Sequence, residues 1–158
     1  MDITIREAAI SDADAISTLV SSLAVKHIGP SLGEGGIDVL LAGMGESSTR
    51  ERIEEGWLHF VAHSGQDLVG VVVVKPPSHL YHLFVQTEFQ KKGIGSRLFK
   101  HADTQILSAT GSPILTVNSS LNAIATYQRF RFVVKGEVCD TNGVRCQAMV
   151  RQLDQAQA

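Results

Sequence analysis

Only two of the 158 residues are cysteines, and lysine plus arginine, 14 in number, nearly balance 16 acidic residues. No apolar run approaches the roughly 18 residues of a membrane span, and the N-terminus lacks the charged-then-apolar pattern of a signal peptide. A nucleic-acid or anionic-membrane surface as the main partner needs a strong basic excess, so a net charge of −2 excludes both, though not a local basic site. The expected location is the cytoplasm. No internal repeat or low-complexity tract appears. The length fits one domain, large enough to bury a core without metal or disulfide help, expected over residues 1–154 with 155–158 as a frayed tail.

The two cysteines, Cys139 and Cys146, flank an Asn142-Gly143 pair that signals a type I′ hairpin. A two-residue loop pairs Thr141 with Val144 and Asp140 with Arg145, and stands Cys139 opposite Cys146 in a hydrogen-bonded pair, where Cα atoms lie farther apart. In a reducing compartment this favours reduced, packing thiols over a disulfide. Two cysteines alone cannot close a zinc site, and no metal is expected.

The remaining pattern is regular. Ile3 and Ile5 alternate with polar residues as a first strand; Ser11-Asp12-Ala13-Asp14 reads as a capping box before a helix striped by Ile16, Leu19, Val20 and Leu23. Lys26 to Gly45 is glycine-rich around a short apolar piece, Ile37 to Met44, and is expected to be mobile. Ser48 to Glu51 caps a short helix ending near Gly56. Trp57 to His63 and Leu68 to Lys75 read as a hairpin, Pro76-Pro77 as a stop, and His79 to Val85 as the next strand. A helix follows to about Thr110, then a strand at Ile114 to Val117, a helix at Ser119 to Phe130, and a closing hairpin of Phe132 to Cys139 with Val144 to Val150.

Between the strand ending at Val85 and the helix carrying Leu98, Phe99, Ala102 and Ile106 lies Gln90-Lys91-Lys92-Gly93-Ile94-Gly95-Ser96. A helix N-terminus leaves amide N–H groups unpaired and partly positive, Gly93 and Gly95 allow close backbone approach, and Lys91 and Lys92 add charge. This is a cradle for a pyrophosphate or its like. A P-loop requires Gly, four residues, then Gly-Lys-Ser/Thr, which is absent, and a Rossmann fingerprint requires a third Gly or Ala where Leu98 stands.

The pattern Gln/Arg-x-x-Gly-x-Gly/Ala at Gln90, Gly93 and Gly95 resembles that of the GCN5-related N-acetyltransferases, and the order of strands and helices along the whole chain is similar to theirs. The resemblance implies an α/β (α+β) single-domain fold with a central, twisted, mixed but mostly antiparallel sheet of about seven strands flanked by about four helices. It implies acetyl-coenzyme A as cofactor, held at Gln90, Lys91, Lys92, Gly93, Ile94, Gly95 and Ser96. It also implies a splayed strand whose backbone at Leu83, Phe84 and Val85 meets the pantetheine arm and thioester, as an oxyanion hole would. The side chains of Leu83 and Val85 are equally consistent with core packing.

Asn118, Ala123 and Tyr127 resemble the family's residues near the cofactor sulfur. The Tyr127 hydroxyl, protonated at neutral pH, is the expected acid for the leaving thiolate; Asn118 equally suits a helix cap. His79 is the expected base. Strand alternation puts His79 and Tyr81 on one face with Leu83 and Val85, and His82 on the other. Glu54, Glu55, Glu88 or a solvent water chain are the alternatives. Thr87 stands where many members have Pro, and Arg131 where many have a left-handed Gly, which predicts a different helix end and a displaced Tyr127.

Direct acetyl transfer to a primary amine of a small molecule, protein or peptide is therefore expected. The acceptor pocket is expected between the Lys26 to Glu55 segment and the strand ends near His79, with overall acidity favouring a cationic acceptor. The competing reading is a catalytically idle acyl-coenzyme A sensor. The resemblance leaves room for a homodimer.

Overall fold

The valine run explains the architecture. In the computed structural model, which describes residues 2–151, Asp67–Lys75 forms β3 at the middle of the sheet, flanked by β2 (Leu58–Ser64) and β4 (His79–Val85). Val71 to Val74 are all buried because both faces are covered. Val72 and Val74 pack with Leu98 and Ala102 of helix α4 (Ile94–Thr110), while Val71 and Val73 pack with Ile16, Val20 and Leu23 of α1 (Ala13–Leu23).

The remaining strands are β1 (Ile3–Glu7), β5 (Thr116–Ser120), β6 (Phe132–Val134), β7 (Cys139–Thr141) and β8 (Val144–Arg151). The sheet runs β1-β2-β3-β4-β5-β8-β6, with β7 also on β8. Its pairings are antiparallel except β4 with β5, giving the mixed, mostly antiparallel sheet expected. The other helices are α2 (Gly36–Ala42), α3 (Glu46–Glu54) and α5 (Ile124–Arg129). Among the described residues no helix is long and apolar enough to cross a membrane. The tail expected to fray, 155–158, lies outside the described residues.

Several boundaries differ from the sequence reading. Asp12, not Ser11, organises the start of α1: its carboxylate accepts the Ala9 N–H at 2.7 Å and both guanidinium nitrogens of Arg6 at 2.8 Å. β5 begins at Thr116 and continues through Ser119 and Ser120, which were expected in a helix; α5 starts only at Ile124. Pairing of Ser119 with Gln147 and Ser120 with Cys146 outweighs the local helix signal. The closing strand is broken between β6 and β7, where Gly136 takes φ +75°. There the buried Gln147 side chain donates to the Lys135 and Gly136 carbonyls at 3.3 and 3.1 Å, replacing lost ladder bonds. The type I′ turn is present, with φ of 54° at Asn142 and 89° at Gly143, and Cys139 stands opposite Cys146. Both thiols are free.

The segment from Lys26 to Gly45 is folded as well. A π-helical turn over Ala24–Ile28 extends α1, a 3-10 turn spans Gly29–Ser31, and α2 follows. Gly33 N–H donates to the Gly143 carbonyl at 2.9 Å, and Gly36 lies so close that a Cβ there would overlap that carbonyl oxygen. Two glycines thus dock this segment on the β7–β8 turn.

At β4 the outcome matters most for the site. Its register with β3 shifts at Tyr81, which has no partner between Leu80↔Val74 and His82↔Val73. The extra residue inverts the alternation. His79 therefore shares a face with His82 and Phe84, opposite Lys75, Val73 and Val71, and Leu80 shares the other with Leu83 and Val85. This corrects the expected pairing of His79 with Leu83 and Val85.

Replacing Gly36 by Ala is expected to lower the denaturation free energy by about 2 kcal/mol or more, since backbone must move to admit the Cβ. An unchanged urea midpoint would show that the segment is not held at this contact.

Candidate active site

Parallel pairing of β4 with β5 covers only His79↔Thr116 and Leu80↔Val117. Beyond these pairs the strands separate, and a cleft of about 700 Å³ opens between them. It runs from the turn before α4, past the diverging strands, to the underside of α2. Of the residues singled out from sequence, His79, Leu83, Phe84, Val85, Gln90, Lys91, Gly93, Ile94, Gly95, Ser96, Asn118, Ala123 and Tyr127 line it. Lys92 does not; its Nζ sits 5.7 Å from the Phe89 ring.

At one end the turn exposes its backbone. Gln90 Nε2 donates to the Val85 carbonyl at 2.9 Å, tying the turn to the end of β4. Lys91 and Gly93 take φ of 62° and 82°, the left-handed region, which glycine occupies freely and lysine does not. The first bond into α4 runs from Arg97 N–H to the Gly93 carbonyl at 3.1 Å. Among the described residues, the N–H groups from Lys91 through Ser96 meet no acceptor. Gly95 has a helical backbone, and the nearest atom to an added Cβ would be a Val85 methyl at an ordinary 3.8 Å. The fold does not require glycine there, and unpaired amides beside a residue without a side chain fit a diphosphate.

Tyr127 closes the middle of the cleft. Its ring is 7% exposed, packed against Phe132 at 6.0 Å between centroids, and burial pushes its phenol above the usual tyrosine range, so it remains a proton donor at neutral pH. Among the described residues its hydroxyl has no hydrogen-bond partner. Arg131 adopts the left-handed conformation itself, φ 75°, so the helix ends as a glycine would end it and Tyr127 stays in the cleft. Asn118 is exposed within β5 rather than capping a helix, and Ala123 lies in the turn leading to α5.

His79 stands where the strands part, its Nδ1 2.8 Å from Thr116 Oγ1. Burial, and secondly the charge of Lys75, depress its pKa, so it is neutral at pH 7. His82 is pushed down to about 3 by burial, with Arg52 nearby adding to the effect. Glu54, Glu55 and Glu88 do not line the cleft.

The far end, below the α1–α2 segment, is lined by Leu23, His27, Leu40 and Met44 against Tyr81 and His82. Sequence reasoning missed Tyr81 and His82, because the bulge that turns both toward this side leaves no local signal. It missed His27 too; the ring reaches Thr87 Oγ1 at 2.9 Å through the π-helical turn. Arg129 lines both the cleft and an adjoining groove with Lys100 and Arg131, and a cation two residues past Tyr127 was its only signal.

A model of the acetyltransferase (GNAT) domain family matches residues 29–153. No curated protein sequence matches the chain. Among solved structures, a GCN5-related N-acetyltransferase from Rhodopseudomonas palustris aligns with TM-score 0.79 at 20% identity, over 97% of both chains. The PaiA N-acetyltransferase from Thermoplasma acidophilum, in complex with coenzyme A, aligns at 0.73 and 19% identity over 97% of this chain and 100% of that one. Apo YjaB from Escherichia coli aligns at 0.65 and 21%, over 95% and 97%.

Gly95→Ala separates the two demands on that position. Thermal stability is expected to hold or to rise by up to about 1 kcal/mol from helix propensity, while coenzyme A affinity by calorimetry falls at least about tenfold. Undiminished affinity would rule out close approach at Gly95. For His82, a folded pKa of about 3 against an unfolded 6.5 means the unfolded chain binds the extra proton, so stability is lost as pH falls from 6.5 toward 3. His82→Phe is expected to shrink the difference between urea midpoints at pH 7.5 and pH 4.5.

Proposed function

Because the chain belongs to the GNAT acetyltransferase family, whose donor is acetyl-coenzyme A, we propose that it transfers the acetyl group directly to a primary amine of a small molecule or a peptide. The family makes it an acyltransferase; the acceptor class and the residue roles are our reading. The observation that carries this reading is the run of partnerless amides from Lys91 through Ser96 at the mouth of a cleft between parting strands.

Acetyl-coenzyme A, when bound, supplies the thioester carbon for attack and a thiolate as leaving group. The amides of 91–96, the αL turn at Gly93 and the space beside Gly95 hold its diphosphate, with Lys91 and Arg129 adding positive charge. Beyond Leu80, β4 has no paired neighbour on its β5 side, so the backbone of Leu83 and the Val85 N–H, on either side of Phe84, can bond an arm laid between the strands. Fixed dipoles of this kind stabilise developing charge without reorganising.

Tyr127 keeps its proton on the phenol oxygen and presents it inside a nonpolar wall, where a thiolate is also strongly destabilised by desolvation. Tyr127 gives its proton to the sulfur as the C–S bond breaks, and the phenol regains a proton from the one the amine sheds, handed on through His79 or water, so that no charge stays in the wall. His79, neutral and open to the cleft, receives the amine proton directly or through water. A cytoplasmic setting belongs to this proposal.

A thiol-release screen over an amine library tests the reaction, since a mere acyl-coenzyme A sensor would bind the donor and release nothing. Tyr127→Phe is expected to cut kcat at least about tenfold with coenzyme A affinity kept within twofold, a loss in the range of general-acid removal. Wild-type turnover in that variant across pH would remove Tyr127 from the chemistry.

A further inference from the structure

The acceptor end of the cleft offers an incoming molecule no charge to pair with. Among the described residues no aspartate or glutamate lines any part of the cleft, so the cationic acceptor that overall acidity suggests has no counterion there. The cations that line it lie elsewhere or are already matched. Lys91 sits on the phosphate turn, and Arg129 on α5 beside the adjoining groove. Arg145 stands well along β8 from Val150, which shares a row with Thr116 and His79, and its Nε–H is held by Asp140 at 3.1 Å.

What the end below the α1–α2 segment does offer is hydrocarbon. Leu23, Ile28, Leu40, Met44 and Phe84 line it, and all belong to one packed cluster on Val71 and Val73 of β3. Strand register fixes where that wall lies relative to His79. His79 pairs with Lys75, His82 with Val73 and Phe84 with Val71, all on one face, so the rows under the wall lie about 7 and 13 Å from that of His79 at the rise of a strand. The end of α2 closes on the same place: a Cβ at Gly43, between Leu40 and Met44, would stand 3.9 Å from the Tyr81 hydroxyl. The wall rises on the α1 side of β4, whereas the seam for the donor's arm opens on its β5 side, so donor and acceptor do not compete for it.

The polar groups at this end bond one another. A His27 ring nitrogen lies 2.9 Å from Thr87 Oγ1, the Tyr81 hydroxyl accepts from Arg52 at 3.0 Å, and His79 Nδ1 meets Thr116 Oγ1, which leaves Nε2 for the amine. Burial first, and Lys75 and Arg52 second, keep His79 and His82 neutral. Surroundings that discharge an imidazole also discharge an amine, and they give a second charge on the same molecule nothing to pair with. We infer that the acceptor is an apolar primary amine, its uncharged hydrocarbon body packed against Leu40, Met44 and Phe84 and its single amino group presented near His79. A polyamine, an amino acid or a charged peptide would carry bare charge into the wall. This rests on the proposed acetyl transfer and adds the substrate class.

Thiol release should be followed with amines of matched length that end differently: hexylamine, aminopentanol, cadaverine and ε-aminocaproate. We expect kcat/KM for hexylamine to exceed that of each of the others by about tenfold or more, since their far ends must give up water without a partner. From ethylamine to hexylamine, whose amino groups titrate alike, it should rise at least about twofold per methylene. Leu40→Ala should flatten that rise. Leu40→Asp, by placing an acid in the wall, should bring cadaverine level with hexylamine or above it, with the KM for acetyl-coenzyme A unchanged in both variants. The wild-type series decides even where a Leu40 variant fails to fold. Aminopentanol, cadaverine or ε-aminocaproate turned over as well as hexylamine, or a rate indifferent to chain length, overturns the inference and leaves acetyl transfer standing. So does thiol release confined to amino acids or peptides. Silence with every amine while coenzyme A still binds overturns both.

Discussion

Tyr81 is one residue too many for the ladder it joins. β3 offers no partner for it, so β4 bulges there, and the same strand loses contact with β5 one residue earlier, after Leu80. A bulge bends its strand and increases local twist, and two parallel strands that no longer run together cannot keep their hydrogen bonds. The rest of the site depends on this parting. It leaves a sheet interior with an open seam, exposes the β4 backbone on one side, and turns His79, Tyr81 and His82 toward the α1–α2 segment instead of dividing them between faces.

The two ends of the seam use different physics. At the end by α4 the turn offers backbone amides, fixed by an αL glycine and by the Gln90 bond to Val85, so the fit to a diphosphate that we propose rests on geometry that few side chains could spoil. At the end below the α1–α2 segment the lining is side chains brought from distant parts of the chain: His27 from the end of α1, Met44 beyond α2, His82 from β4. The α1–α2 segment that brings His27 and Met44 is docked by Gly33 and Gly36 on Gly143, a contact without side chains. The donor end is thus set by a short local stretch, and the acceptor end by assembly of the whole fold.

Much was legible without coordinates. The strand and helix order, the span of β4 from His79 to Val85, the opposition of Cys139 to Cys146 and the cradle at Gln90 to Ser96 all follow from periodicity, turn residues and glycine placement, which act within a few residues. The misreadings share a cause. Ser119 and Ser120 look like a helix start locally but are claimed by pairing with Gln147 and Cys146, on a strand far along the chain. Arg131 was expected to change the helix end, yet it takes the glycine conformation itself, with its N–H on the Gln128 carbonyl at 3.1 Å.

By itself, then, the sequence marked one turn as fit for a pyrophosphate-bearing donor, because that needs only unpaired amides and two glycines, and all lie within seven consecutive positions. It did not determine which side of β4 faces the acceptor or what charge surrounds it. A single unpaired residue in a strand reverses every side chain beyond it, and whether Tyr81 is that residue depends on its fit to β3 and not on its own neighbours. Only the assembled sheet decided that His79 and His82 look the same way, and that among the described residues no acid lines the cleft they face.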